Sequence, residues 1–579
     1  MQPTSRYLQQ DRKNSLANMG NSLAVWAVLL GGAALLVEIY FSIHFFIPIP
    51  FEDLWAVIEE LARNNGTYSL PMLWAQHNEH RLPLAKLLIQ ADLLWFHGRN
   101  LSLYLEIYVT QILHLALIVW ALRRYSLWPG WLIAAGSGLT AFALFWTTQS
   151  QSFLNPFGVE VLPTYAFGSA SILFLMIALS GSGKNWLWLA LSAGAALLSG
   201  LSLASGLLLW PILLVMAIRF RLGWKKIAIL GAIGAAFAVA YMARYQTPDI
   251  HAQPLESLRK PGLLASYLMV YFGANWAPVS MRLSEIVAAF GVIAFLVSYV
   301  RELLRPQGRP FPFALLSLCA FLFSTGFVTA LGRLNFPLAQ AASSRYQSCA
   351  LVFWACFALY LMDLAYRHSA QTAVRCAATT LILTTAMLPS YPGSLANAQE
   401  FYTRISAGAL PLYADVRDNR EIEHLIVPPD VVFGDRAFLK SHHAAFYADP
   451  RYLLLGQPLT SRFAIAPPDR CFGAFDGNRR LEDAQFGGWE LVGWAWDHKA
   501  LGRVQSVIAV SHDGRIHGVG ENGLFRPDVR QVFPEVTDPH VGWHIYLQGN
   551  EPVEEDVRLY GLVDSHTVCA ITLPVHLPK

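Results

Sequence analysis

The sequence predicts a polytopic α-helical membrane protein with a C-terminal β-sandwich, and three observations carry that expectation. Of its 579 residues, 54% are hydrophobic and 14% charged, whereas soluble domains run near a quarter charged. Aromatic residues make up 13%, with 18 Trp, a composition suited to interfacial belts. The net charge of +3 conceals a split. Residues 391–579 carry 24 acidic and 17 basic residues, leaving 15 acidic and 25 basic for residues 1–390. A basic membrane part, 1–391, therefore precedes a mildly acidic soluble part. The soluble part has no Lys/Arg stripe, which excludes nucleic acid as a partner.

A membrane-spanning helix needs about 20 apolar residues. About eleven segments meet that need, near 23–47, 102–122, 127–147, 162–180, 186–201, 204–218, 227–244, 283–300, 311–331, 347–366 and 375–391. The continuous apolar run from 186 to 218 is cut near Ser202–Ser205. The first span is long and lacks a small-residue cleavage site, so it reads as an anchor and not as a removed signal peptide. Arg12/Lys13, Arg123/Arg124, Lys184, Arg219/Arg221/Lys225/Lys226, Arg301/Arg305/Arg309 and Arg367/Arg375 fall on one side of this arrangement. The positive-inside rule makes that side cytoplasmic. The N-terminus is then cytoplasmic and the C-terminal body periplasmic, as expected for an inner-membrane protein.

Three outward segments, 48–101, 245–282 and 332–346, are large or polar. Within 51–63, Leu54, Trp55, Ile58, Leu61 and Ala62 recur at helical spacing, with Asp53, Glu59 and Glu60 off the stripe. A second helix begins at Pro83, a favoured first helical position, and runs to about 96. Its Lys86 and Gln90 interrupt an apolar cylinder, the pattern of a helix lying on the bilayer surface.

Residues 392–470 form a mixed connecting region punctuated by Pro428-Pro429 and Pro467-Pro468. From 471 to 579, short alternating strands are expected at 489–496, 504–511, 515–519, 543–548, 557–563 and 567–573. Asp513-Gly514 marks a hairpin between two of them. Cys319, Cys349, Cys356 and Cys376 lie in or beside spans, as buried small hydrophobes. Cys471 and Cys569 bracket the β-domain on the oxidising side, and a disulfide between them would close roughly 100 residues for about 4–5 kcal/mol. Trp489, Trp494, Trp496 and Trp543 suit either a sandwich core or a carbohydrate surface.

Ionisable residues at the outer membrane face point to chemistry, because burying them near lipid is costly. Glu52-Asp53 follows the first span, where acids also complement a helix dipole. His77-Asn78-Glu79-His80-Arg81 precedes the Pro83 helix. Leu82, before proline, favours an extended backbone, so this pentad should be a loop entering the helix. His77, Glu79 and His80 carry donors for a divalent metal or contacts for a phosphate, or serve as a polar cap under the helix. Arg333 and Arg345 suit a phosphate through bidentate hydrogen bonds, and headgroup anchoring equally. Arg244, Arg259, Lys260 and Asn275 form a weaker group. There is no nucleotide-binding strand–turn–helix, and an outward site has no ready nucleotide pool. A lipid-linked sugar donor meets both conditions, with arginine holding its anionic leaving group and a carboxylate deprotonating the acceptor.

The order of one span, a long outward loop with an acidic pair, surface helices, many further spans and an outward β-domain resembles the GT-C membrane glycosyltransferases. That resemblance implies a polyprenyl-phosphate-sugar donor and an Asp or Glu base in the first outward loop. Here the matching position is Asp53, with Glu52 beside it; the Glu-Asp order departs from the family's Asp-Glu, so either carboxylate can be the base. His77–Arg81 and the stretch from Gly332-Arg333 to Ser343-Ser344-Arg345-Tyr346 also look like segments of bacterial polysaccharide-modifying membrane proteins. Gly493-Trp494-Ala495-Trp496-Asp497 with Arg526-Pro527-Asp528-Val529 is similar to a β-domain attached to bacterial cell-surface glycan proteins.

The expected activity is transfer of a sugar from polyprenyl phosphate to a cell-surface glycan or glycolipid acceptor, such as lipopolysaccharide. Asp53 and Glu52 would be catalytic, Arg81, Arg333 and Arg345 would bind the donor phosphate, and His77, Glu79 and His80 would contact a metal or the phosphate. The alternatives are an O-antigen-type polymerase or ligase using a diphosphate-linked donor, and a non-catalytic scaffold or exporter subunit.

Overall fold

The structure is a computed structural model describing residues 3–181, 185–248, 252–277, 280–549, 556–571 and 575–576. Lys184 and the end of the 567–573 strand lie outside the described residues. The chain divides into two compact units, one of Met1–Phe46, Ser69–Leu88 and Ser102–Gln399, the other of Ile47–Tyr68, Ile89–Leu101 and Glu400–Lys579.

The first unit is a helix bundle. Each segment expected as a span contains helix, but the expected count of about eleven is not reached among the described residues, because 186–201 and 204–218 fall short of a full crossing helix. Among the described residues, nine helices are long and apolar enough to cross a membrane, and Ala204–Arg219 is a shorter apolar one. This is a multi-pass membrane protein. The expected cut in the 186–218 run is real, because helix Asn185–Ser202 ends there and a 3-10 turn, Ala204–Leu208, precedes helix Leu209–Arg219. Helices Pro3–His44 and Gly130–Phe145 meet at glycine. A Cβ on Gly31 would lie 2.4 Å from the Gly138 carbonyl oxygen, so only a small residue lets these backbones close.

At the end of the bundle where helix Pro310–Arg333 begins, the basic residues read from sequence as topology signals have specific partners. Asp363, 1% exposed, accepts from Arg309 at 3.0 and 2.9 Å and from Trp128 Nε1 at 3.1 Å, and forms an ion pair with Arg367 at 2.9 Å. Arg305 binds the buried Glu302 at 3.1 Å. Ions withdrawn from water need such company.

The second unit contains the surface helix Leu54–Arg63, whose Leu54, Trp55, Val57, Ile58 and Leu61 are buried and which packs on helix Pro429–Ser441. The region expected to be mixed is largely helical. Helix Tyr391–Tyr413 continues almost directly from helix Ala370–Thr385, since its modest hydropathy hides an amphipathic face.

Twelve strands are present, β1 (Gln76–His77), β2 (His80–Arg81), β3 (Ala464–Ile465), β4 (Cys471–Leu481), β5 (Gly488–Asp497), β6 (Gly502–Arg503), β7 (Ser506–Val510), β8 (Ile516–Leu524), β9 (Gly542–Gln548), β10 (Asp556–Asp564), β11 (Thr567–Ala570) and β12 (Val575–His576), among the described residues. The last ten form one sheet in the order β3-β11-β10-β7-β8-β9-β5-β4, with β12 on β10 and β6 on β5. A two-sheet sandwich was expected; one rolled sheet supplies both walls. Its core draws Leu491, Val507, Trp543, Ile545, Leu559 and Cys569 from strands across the whole sheet. Cys471 in β4 and Cys569 in β11 form a disulfide with Cα atoms 5.7 Å apart. The bond joins the two ends of the roll, which are distant in strand order. The 11-residue β4 escaped the alternation pattern because Asp476, Asn478, Arg479 and Arg480 make it polar, as an edge strand tends to be. The Asp513-Gly514 hairpin turns where expected, with Gly514 at φ +79.

Trp494 and Trp496 pack under Val529 and Val536, with Phe472 and Phe533 against them. Trp543 is fully buried on the other face, while Trp489 is only partly buried. Asp497 accepts from Arg470 at 3.1 Å and from the backbone of Lys499 and Ala500. Arg526 binds Asp528 at 2.6 Å and also Asp476. The two motifs that suggested a glycan-associated domain are thus a strand and the short helical cover that seals it.

Candidate functional site

In the first unit the pentad is a tight hairpin and not the expected loop. β1 and β2 pair in the register Gln76↔Arg81 and His77↔His80, with Asn78 at φ +48, a conformation that asparagine tolerates. The hairpin is fastened at its base. Gln76 donates its side-chain amide to the Gln246 carbonyl at 2.5 Å and accepts from the Gln246 N–H at 3.0 Å.

Arg81, 5% exposed, donates Nε to the Tyr241 carbonyl at 2.8 Å and its terminal nitrogens to the carbonyls of Ala243, at 2.6 Å, and Trp74. The guanidinium also lies 5.4 Å from the Trp74 ring centre. All three nitrogens are committed to backbone oxygens. Arg81, expected at the donor phosphate, here pins the hairpin to the end of helix Trp224–Met242 through three of its five N–H groups.

Glu79, at the hairpin turn, pairs with Arg333 at 2.6 Å. His80 Nε2 lies 3.6 Å from the same carboxylate oxygen. His77 is buried, its ring centre 5.7 Å from that of Phe157. Among the described residues no group of three or more His, Cys, Asp or Glu is placed to hold a metal ion. The hairpin pairs the two histidines across its strands, and Glu79 meets an arginine.

Arg333 ends helix Pro310–Arg333, and Arg345 opens helix Ser344–His368. Arg345 is exposed, its guanidinium 5.3 Å from the Tyr346 ring centre. Tyr267 links the two arginines. Burial raises its phenol and the neighbouring Tyr346 adds to that, while Arg333 and Arg345 both oppose it. Tyr267 donates its hydroxyl to Gln340 Oε1 at 3.4 Å, and Tyr346 stacks on Tyr271 at 5.4 Å. Tyr245 is raised first by burial and then by Glu79. One end of the bundle thus gathers Glu79, His80, Arg333, Arg345, Tyr245 and Tyr267. The tyrosines were missed in the sequence, where nothing in the spacing of a neutral aromatic distinguishes it from core. Lys86, read as a surface lysine, is fully buried and donates to the Met72 carbonyl at 3.0 Å. Arg244, Arg259 and Lys260 are exposed, and Asn275 accepts from Thr148 at 3.2 Å.

Glu52 and Asp53 belong to the second unit. Glu52 is half-buried at φ +53, held by its N–H to the Leu425 carbonyl at 2.8 Å. Asp53 is exposed and precedes helix Leu54–Arg63 without capping it through its side chain.

No family model matches the chain, and no curated protein matches it. Among solved structures, the chain is similar to ArnT from Cupriavidus metallidurans bound to undecaprenyl phosphate. The identity is 12% and the TM-score 0.33, over 72% of this chain and 89% of that one.

Proposed function

We propose that the protein is a membrane glycosyltransferase of the GT-C type that moves a sugar from a polyprenyl-phosphate carrier to a glycan or glycolipid acceptor at the periplasmic face of the inner membrane. The observation that carries this reading is the pair Arg333 and Arg345, which end helix Pro310–Arg333 and begin helix Ser344–His368 at one end of a membrane-helix bundle. Two guanidiniums at a lipid boundary offer the forked donors that a phosphate's oxygens accept. They stabilise the charge that develops on the departing polyprenyl phosphate. The bond from the sugar's anomeric carbon to the phosphate oxygen breaks as the acceptor hydroxyl forms a new one. A carboxylate takes the hydroxyl proton. Asp53 holds that role by its place in the first outward loop, with Glu52 orienting or replacing it.

The test pairs donor and residue. Purified protein is supplied with a polyprenyl monophosphate sugar or with a polyprenyl diphosphate oligosaccharide. Transfer from the monophosphate, with Asp53→Asn slower by about 10²–10⁴ at equal expression, is the expected result. Transfer only from the diphosphate would favour a polymerase or ligase. Full activity in Asp53→Asn would take the base's role from that residue.

A further inference from the structure

The two arginines of the anion site are not equivalent. Arg345 is exposed and has no ion-pair partner among the described residues. Arg333 is already engaged, its terminal nitrogen 2.6 Å from Glu79 Oε1 with both side chains 20% exposed. The backbone beneath Glu79 is firmly held, since Gln76 clasps Gln246 and Arg81 is fixed to three carbonyls. Glu79 sits on the turn between β1 and β2, so its side chain can rotate off Arg333 while the hairpin stays in place. His80 Nε2 lies 3.6 Å from the same oxygen.

We propose that Glu79 is a specificity-determining residue, a built-in carboxylate that occupies Arg333 and yields to a lipid phosphate but not to a lipid carboxylate. This rests on the polyprenyl-phosphate reading and concerns the same site. The reason is an exchange of like for like. A fatty acid entering the site replaces one carboxylate–guanidinium pair with another, and gains nothing for the rearrangement. A phosphate group has more acceptor oxygens and more charge than a carboxylate, and forms charge-assisted bonds that the internal carboxylate cannot match. In a bilayer, fatty acids are single-charge anions with the same apolar tail chemistry as the donor. A bare arginine pair would collect them.

The experiment uses the full chain in nanodiscs, with binding of a polyprenyl monophosphate measured alone and in competition with oleate. Wild type should bind the phosphate and ignore oleate. Glu79→Gln should bind the phosphate roughly three- to tenfold more tightly, the scale of a partly exposed ion pair, and oleate should now compete. In an Arg333→Gln background, Glu79→Gln should change neither quantity. Weaker or unchanged phosphate binding in Glu79→Gln, with oleate still excluded, overturns the proposal and makes Glu79 a residue that positions Arg333. Thermal unfolding separates that result from misfolding, and Glu79→Ala must move binding in the same direction as Glu79→Gln. Failure of wild type and variant alike to bind polyprenyl phosphate overturns the donor reading instead, and this inference with it.

Discussion

Arg81, Arg333 and Arg345 have the same side chain and three different situations. The first gives three N–H groups to backbone oxygens, the second faces a carboxylate, and the third faces solvent. Lysine offers a point charge where arginine offers a planar fork. Arg81→Lys should therefore strand buried carbonyls at Trp74, Tyr241 and Ala243, at a cost of about 2–4 kcal/mol. Thermal unfolding should show a clear loss of stability, while the fraction that remains folded keeps its affinity for donor. A change in donor affinity at unchanged stability would return Arg81 to the binding site. The sequence identified all three arginines as candidates. It had no means of separating them, because their partners lie 160 and 254 positions away along the chain.

The packing of helix Leu54–Arg63 on helix Pro429–Ser441 contains an acid in an awkward place. Asp435 is 7% exposed, and its carboxyl is raised to about 6, first by burial and then by Glu59, with Arg63 opposing. Below the unfolded aspartate range both states hold the proton, and nothing is lost. Between that range and about 6 the unfolded chain ionises and the folded one does not, so stability falls as pH rises and stays reduced above 6. Asp435→Asn should then raise the unfolding temperature at pH 7.5, by about 1–2 kcal/mol in stability, with no gain at pH 4. An equal gain at both pH values would remove the protonation explanation. The amphipathic stripe of this helix was legible at its own residues, since period and burial agree from Leu54 to Leu61. Its partner helix was not, because the Pro428-Pro429 pair reads as punctuation until the helix that starts at Pro429 is seen.

The connecting region and the rolled sheet are one folded body within the second unit. Asp418, 3% exposed, accepts from Tyr546 at 2.9 Å and from Arg479. Arg451 reaches Glu521 at 2.5 Å and lies 4.3 Å from the Tyr413 ring centre. Removing residues 471–579 would take Tyr546 and Arg479 from Asp418 and Glu521 from Arg451, which keeps Asp449 and Tyr413, and would strip the sheet from the apolar side chains packed on it. Such a truncation should make residues 400–470 protease-sensitive throughout. Survival of that segment as a protected fragment would show that it folds without the sheet.

The sequence by itself determined most of the spans, the amphipathic helix Leu54–Arg63 and most strands of the C-terminal sheet, because each answers to a local requirement. A bilayer demands a fixed length of apolar residues, and a half-buried helix or strand repeats its pattern every few positions. It also brought Cys471 and Cys569 to notice. Only the tertiary structure decided that the strands roll into one sheet closed by that disulfide, that the tryptophans of β5 lie under a helical cover, that Lys86 is buried, and that Glu79 rests on Arg333. These depend on which distant surfaces meet, and a charge or a ring carries no local mark of the partner it will find.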